Sequence, residues 1–191
     1  MSEQPGRVAA VRVAYERLHD VDQTLLRVRE LAPATVLFDV EPLVAYWDTD
    51  ATALANGVEE VLRQLWSATA IQVIGFTTNS SRQHDIADTR VQGVRVGDSE
   101  RRVFYLASAR KPLRLAPYRD LPEPGVLVGD QIPTDGALAC RLGYTFLHFL
   151  PKYAAPPGPR MMRLIGAPLR PLLFTLPDRA AGTSSDTDAR A

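Results

Sequence analysis

Four short runs of this 191-residue chain carry oxygen and nitrogen groups suited to phosphorus chemistry. Asp39 and Glu41 stand two residues apart at the end of the apolar run Thr35-Val36-Leu37-Phe38. A carboxylate in such a place can attack phosphorus, and a second one two residues on can pass a proton to and from oxygen. Thr78 and Asn79 follow another apolar run, Ile71–Phe76, where a hydroxyl and backbone N–H groups can meet phosphoryl oxygens. Lys111 is one of only two lysines among 22 basic residues, the other being Lys152. An ammonium in a chain that otherwise uses arginine is informative, and it can neutralise charge on a transferring phosphoryl group. Gly129-Asp130-Gln131, followed by Thr134-Asp135, puts two carboxylates around one turn, the donor set of a hard cation such as Mg²⁺. Each run also has a structural alternative: a solvated loop acid, a Thr/Asn/Ser turn, a solvated lysine, and helix capping by Asp130 or Asp135.

The surrounding elements must bring these runs together if they act together. Residues 8–31 place Val8, Val11, Tyr15 and Leu18, then Leu25, Val28 and Leu31, at helical intervals with a break near His19–Asp22. This predicts two helices, the second capped by Asp22. Thr35–Asp39 reads as a buried parallel strand. Asp50 caps a helix through about Trp66, with Leu54, Val58, Val61, Leu62 and Leu65 on one face. Ile71–Phe76 and Val103–Leu106 are further strands, and Pro112 suits the first turn of a helix. Val126–Val128, a helix from about Thr134 to Leu142, and a strand Tyr144–Phe149 complete the order. Strands alternating with helices predict an α/β fold with an open, mostly parallel sheet and helices on both faces. Ligands of such sheets bind outside the carboxyl ends of the strands, so Asp39, Thr78 and Asp130 converge on one place.

Taken in order, the four runs resemble the haloacid dehalogenase (HAD) superfamily, and closely its YqeG-type phosphatase branch. The specific pieces are Ala109-Arg110-Lys111-Pro112-Leu113, the box Gly129-Asp130-Gln131 with Thr134-Asp135 and Arg141-Leu142-Gly143 behind it, and Trp47-Asp48 at its offset from Asp39. The resemblance implies a HAD-like, Rossmannoid core and a Mg²⁺-dependent phosphomonoesterase working through an aspartyl-phosphate. It makes Asp39 the nucleophile and a metal ligand. Glu41 becomes the general acid and base, its backbone carbonyl also facing the metal. Thr78, Asn79 and Lys111 hold the phosphoryl group, while Asp130 ligates the metal with Asp135 in support. The family's first motif runs Asp-x-Asp-x-Thr, whereas this chain reads Asp39-Val40-Glu41-Pro42-Leu43. Glutamate adds a methylene, and a displacement of about 1 Å at a catalytic group lowers rates about 10²-fold. Neither the interval from Asp39 to Thr78 nor that from Thr78 to Lys111 has room for a large cap domain, and an open site suits a bulky or surface-embedded substrate. The branch includes phosphatidylglycerophosphate phosphatases, which points to a phospholipid headgroup. A soluble nucleotide or sugar phosphatase, and a HAD-fold binding or regulatory protein without turnover, stand beside that reading.

Composition narrows the field. With 22 basic and 22 acidic groups the formal charge is zero, which argues against a generic nucleic-acid binder. A content of 46% hydrophobic and 23% charged residues is that of a globular domain. The single cysteine, Cys140, rules out an intrachain disulfide framework, and MSEQPGR has no signal-type apolar run, so the cytoplasm is the expected compartment. Neutrality is a sum of opposites: residues 1–150 carry 16 basic and 19 acidic groups, residues 151–180 five and one. Four parts are expected: N-terminal helices (1–33), the HAD-like core (34–150), a proline-rich basic and apolar strap (151–179) and a disordered tail (180–191). The strap could lie on an anionic membrane surface, peripherally on its inner face, or pack on the domain with its arginines in water. His19, His84 and His148 show no metal-ligand spacing, and Cys140 reads as a small core residue.

Overall fold

Thr35–Asp39 (β2) is apolar, largely β-branched or aromatic, and buried at every position, as a strand with neighbours on both edges and helices on both faces must be. The computed structural model describes residues 12–86, 101–152 and 156–175. Around β2 it places β1 (Val13–Leu18), β3 (Val73–Thr77), β4 (Arg102–Leu106), β5 (Gly125–Gly129), β6 (Thr145–Phe149) and β7 (Phe174–Thr175). The sheet runs β4-β3-β2-β5-β6-β1-β7 and every pairing is parallel. The α/β fold with an open parallel sheet is therefore as expected.

Alternate residues of the strands enter two cores. Val36, Phe38, Val126, Val128 and Leu147 face one side, where α1 (Val21–Leu31) and α2 (Ala51–Leu65) cover them. Leu37, Leu127 and Phe146 face the other, beneath α3 (Ala137–Leu142) and the segment leading to β7. The α2 helix begins where Asp50 accepts a hydrogen bond from the Ala53 amide at 2.8 Å, and its buried face is the expected one.

Four expectations change. Val13–Leu18 is a strand, not a helix, although Val11, Tyr15 and Leu18 fit a helical interval; residues 8–11 lie outside the described residues. Val13 and Tyr15 are buried while Ala14 is exposed, a period of two that so short a segment cannot display unambiguously. The helix that follows is capped by Asp20, which accepts from the Gln23 amide at 3.0 Å, and Asp22 sits inside its first turn. Pro112 opens no helix; Lys111–Leu113 are turns, with only a short 3₁₀ turn at Ala116–Tyr118. The sheet also extends beyond 34–150 at both ends, because β7 joins the edge of β1. The strap thus packs on the domain as α4 (Pro157–Gly166), α5 (Arg170–Leu173) and β7. The tail at 180–191 lies outside the described residues. No helix among the described residues is long and apolar enough to cross a membrane.

Between β2 and β3 the chain holds a wide turn (Val40–Val44) and α2, with no inserted domain. The chain runs β2, β3, β4 outward on one side and returns to β5 on the other. The order thus reverses between β2 and β5, where a crevice opens at the strands' carboxyl ends.

Candidate active site

Asp39 ends β2, Thr78 follows β3 and Asp130 follows β5, so the reversal point collects all three expected strand-end groups. Asp39, Asp130 and Asp135 are buried and offer ligand oxygens within 4.8 Å of one another. Asp135 approaches β5 closely enough that a Cβ on Gly129 would lie 2.6 Å from its carboxyl carbon, so the glycine is required there. Its Oδ2 accepts from the Gln131 amide at 3.2 Å and closes the turn that carries both acids.

Lys111 enters this cluster as a buried ammonium, 2.8 Å from Asp39 Oδ1 and 2.7 Å from Asp135 Oδ1. Its approach is built by backbone bonds: the Ser108 amide donates to the Ser80 carbonyl and the Ala109 amide to the Thr78 carbonyl, at 2.7 and 2.9 Å. Ser108 and Arg110 take φ values of 49° and 54°, a left-handed conformation that non-glycine residues rarely adopt without compensation from their surroundings. Asn79 supplies part of it, accepting from the Lys111 amide at 2.7 Å and donating to the Lys111 carbonyl at 3.3 Å. The Asn79 side chain, expected at the phosphoryl group, is thus engaged in clasping the lysine segment.

Glu41 is buried and accepts a hydrogen bond from the Thr78 hydroxyl at 2.7 Å; its other oxygen is 3.7 Å from the Arg82 guanidinium. Thr78 also accepts from the Ser80 amide at 3.0 Å, so the hydroxyl is oriented on both sides. Asp39, Glu41, Thr78 and Asn79 line one cavity of about 460 Å³, with Trp47 and Thr134 on its walls. Every residue expected at the site is therefore in or immediately around one place.

The electrostatics follow from burial. Burial first, and Asp135 second, raise the Asp39 carboxyl well above the ordinary aspartate value, against the pull of Lys111. Burial and then Asp135 push Asp130 up to about 7 despite Arg163. Burial acts to lower the Lys111 ammonium, but Asp135 and Asp39 outweigh it and hold its pKa above the usual lysine value. Among the described residues, three clustered carboxylates meet one fully buried ammonium, and Asp130 Oδ1 is buried without a hydrogen-bond partner. An all-oxygen set with excess negative charge and a free carboxylate oxygen fits a hard divalent cation.

Three contributors were not legible beforehand. Arg82 donates to the carbonyls of Tyr46, Thr49 and Asp50 and pins the loop before α2 beside Glu41. His148, held down to about 4 by burial, accepts from the Tyr15 hydroxyl at 2.8 Å and donates from Nε2 to the Asp130 carbonyl at 3.0 Å. The carbonyl can only accept, which fixes the neutral tautomer. Arg163, from α4, donates to Asp130 Oδ2 at 3.1 Å. None has a local signal, since each reaches its partner across the fold.

No family model, curated protein or solved structure matches the chain.

Proposed function

We propose that this protein is a metal-dependent phosphomonoester hydrolase of the HAD type that works through an aspartyl-phosphate on Asp39. The observation that carries the reading is the clustering of Asp39, Asp130 and Asp135 around the Lys111 ammonium at the point where the strand order reverses. Glu41, lining the same cavity on the Thr78 hydroxyl, supplies the second carboxyl. Asp39 attacks phosphorus as the ester P–O bond breaks, and Glu41 in its acid form protonates the leaving oxygen. Water then attacks the phosphorus of the aspartyl-phosphate while Glu41 takes its proton, which releases phosphate and restores Asp39. Lys111, beside Asp39, holds a phosphoryl oxygen, while the Thr78 hydroxyl, donating its one proton to Glu41, orients that carboxyl. A divalent cation on Asp39 and Asp130, with Asp135 in support and Mg²⁺ the best chemical match, would offset the charge of the phosphoryl group and of the acid cluster.

The expected result is Mg²⁺-dependent hydrolysis of an aryl phosphate, lowered by Glu41→Gln on the order of 10²–10⁴-fold. A chain that binds Mg²⁺ and stays folded but turns nothing over, even as Glu41→Asp, is a binding or regulatory protein instead.

The C-terminal segment favours a headgroup phosphate on a lipid surface as the substrate. Met161, Leu164, Ile165 and Leu172 are each more than half exposed, and they are four of the seven large hydrophobic residues exposed among those described. They fall in a stretch that has no acidic residue and exposes Arg160 beside them, and exposed apolar side chains with a basic neighbour suit an anionic bilayer. The full chain is expected to co-sediment with phosphatidylglycerol vesicles and not with phosphatidylcholine vesicles. Replacing Leu164 and Ile165 together by glutamate should weaken that binding by more than about tenfold, since each side chain contributes roughly 1.5–3 kcal/mol on burial. Equal recovery with both vesicle types shows binding through the apolar side chains without recognition of anionic lipid, and no recovery with either points to a soluble phosphate ester.

A further inference from the structure

Arg163 lies outside the strand-end motifs, on α4, yet reaches Asp130. An arginine commonly meets a carboxylate as a fork, with two N–H donors on two oxygens. Here the contact is single. Nη2 donates to Asp130 Oδ2 at 3.1 Å, whereas the Arg163 Nε donor is buried with no partner and Asp130 Oδ1 is buried with none. The guanidinium therefore grips one oxygen and leaves the other free, on a carboxylate that clusters with Asp39 and Asp135. The backbone end of the same residue is held by His148.

The position of α4 is fixed by packing. A Cβ on Gly166 would lie 2.8 Å from Pro133 Cδ and 2.9 Å from Ile132 Cβ, so the helix rests directly on the turn between Asp130 and Asp135. Beyond it, Leu169 and Leu173 enter the second core. The arginine is thus delivered at a set height by a helix seated on that turn and followed by residues packed on the second core.

We infer that Arg163 is a positioning residue for the cation site: it holds Asp130 by one oxygen so that the other is presented to a divalent cation. The inference rests on the metal-binding reading above and adds to it a residue from the C-terminal segment. Groups that orient a ligand through its second atom are worth about 10–100-fold in metal affinity. Charge alone predicts the opposite sign, because a guanidinium beside a cation repels it.

Calorimetric titration of the full chain with MgCl₂ separates the two. Arg163→Gln should bind Mg²⁺ about 10–100-fold more weakly than the parent. Arg163→Lys, still cationic and able to offer one donor, should recover most of the loss, and Arg160→Gln, exposed on the same helix, should bind like the parent. Equal or tighter binding by Arg163→Gln overturns the inference, tighter binding marking Arg163 as a competing cation. A parent that binds no Mg²⁺ overturns the metal reading as well, so the two failures are distinct. Should Arg163→Gln not fold, amide exchange of the parent gives the answer. Coupling is reciprocal, so Mg²⁺ should slow exchange in 157–166, and unchanged or faster exchange there overturns the proposal.

Discussion

Asp39→Asn is expected to fold as well as the parent, in the absence of metal, while losing turnover by roughly 10⁴–10⁶-fold, the scale seen when a nucleophile is removed. The two halves of that expectation have different causes. Asparagine keeps an oxygen that can accept from Lys111, now 2.8 Å from Asp39, so the hydrogen-bond inventory survives. It also removes one negative charge from a buried cluster in which Asp39 is pushed towards its neutral form by burial and by Asp135. An unchanged or raised melting temperature is therefore expected without metal. The amide oxygen has no comparable power to attack phosphorus, so the aryl-phosphate assay should fall to background. Residual turnover within tenfold of the parent would remove Asp39 as nucleophile. A melting temperature lowered by many degrees would show that the carboxylate is structural.

Lys111→Met should have the largest effect on stability. The ammonium is buried between Asp39 and Asp135, and removing it leaves those carboxylates and Asp130 without the one fully buried cation near them. Breaking a buried ion pair from one side destabilises by about 3–5 kcal/mol, because the remaining charge is uncompensated. For a chain of this length each kcal/mol shifts the melting temperature by roughly 2–4 °C, so a drop of about 6–20 °C is expected. Mg²⁺ should raise the melting temperature of Lys111→Met more than that of the parent, since a bound cation offsets the same excess charge. A variant that melts with the parent, with or without Mg²⁺, would show that the lysine does not balance the cluster. Arginine at 111 should not rescue fully, because its planar fork cannot replace a compact ammonium in a closed space.

The sequence by itself determined the chemical inventory and most of its placement. Short apolar runs ending in Asp39, Thr77-Thr78 and Gly129-Asp130 are strands, and strands alternating with helices must form a parallel sheet whose carboxyl ends meet. Lys111 stood out by its rarity and is buried in the cluster. Helices with a full apolar face, such as α2, were legible because fifteen residues show their period.

What only the tertiary structure decided concerns short segments and distant partners. Six residues at Val13–Leu18 satisfy a helical and an extended spacing alike, and pairing with β6 settles which one forms. The proline- and arginine-rich segment after residue 150 looks like an external strap, yet Phe174 packs against Tyr15 and Phe146 and completes the sheet edge. The free oxygen of Asp130, the hydroxyl on Glu41 and the arginine at Asp130 depend on groups tens of residues away along the chain. Local spacing fixes which groups a strand end offers. It cannot fix which atom is left without a partner, because that depends on what the rest of the chain packs against it.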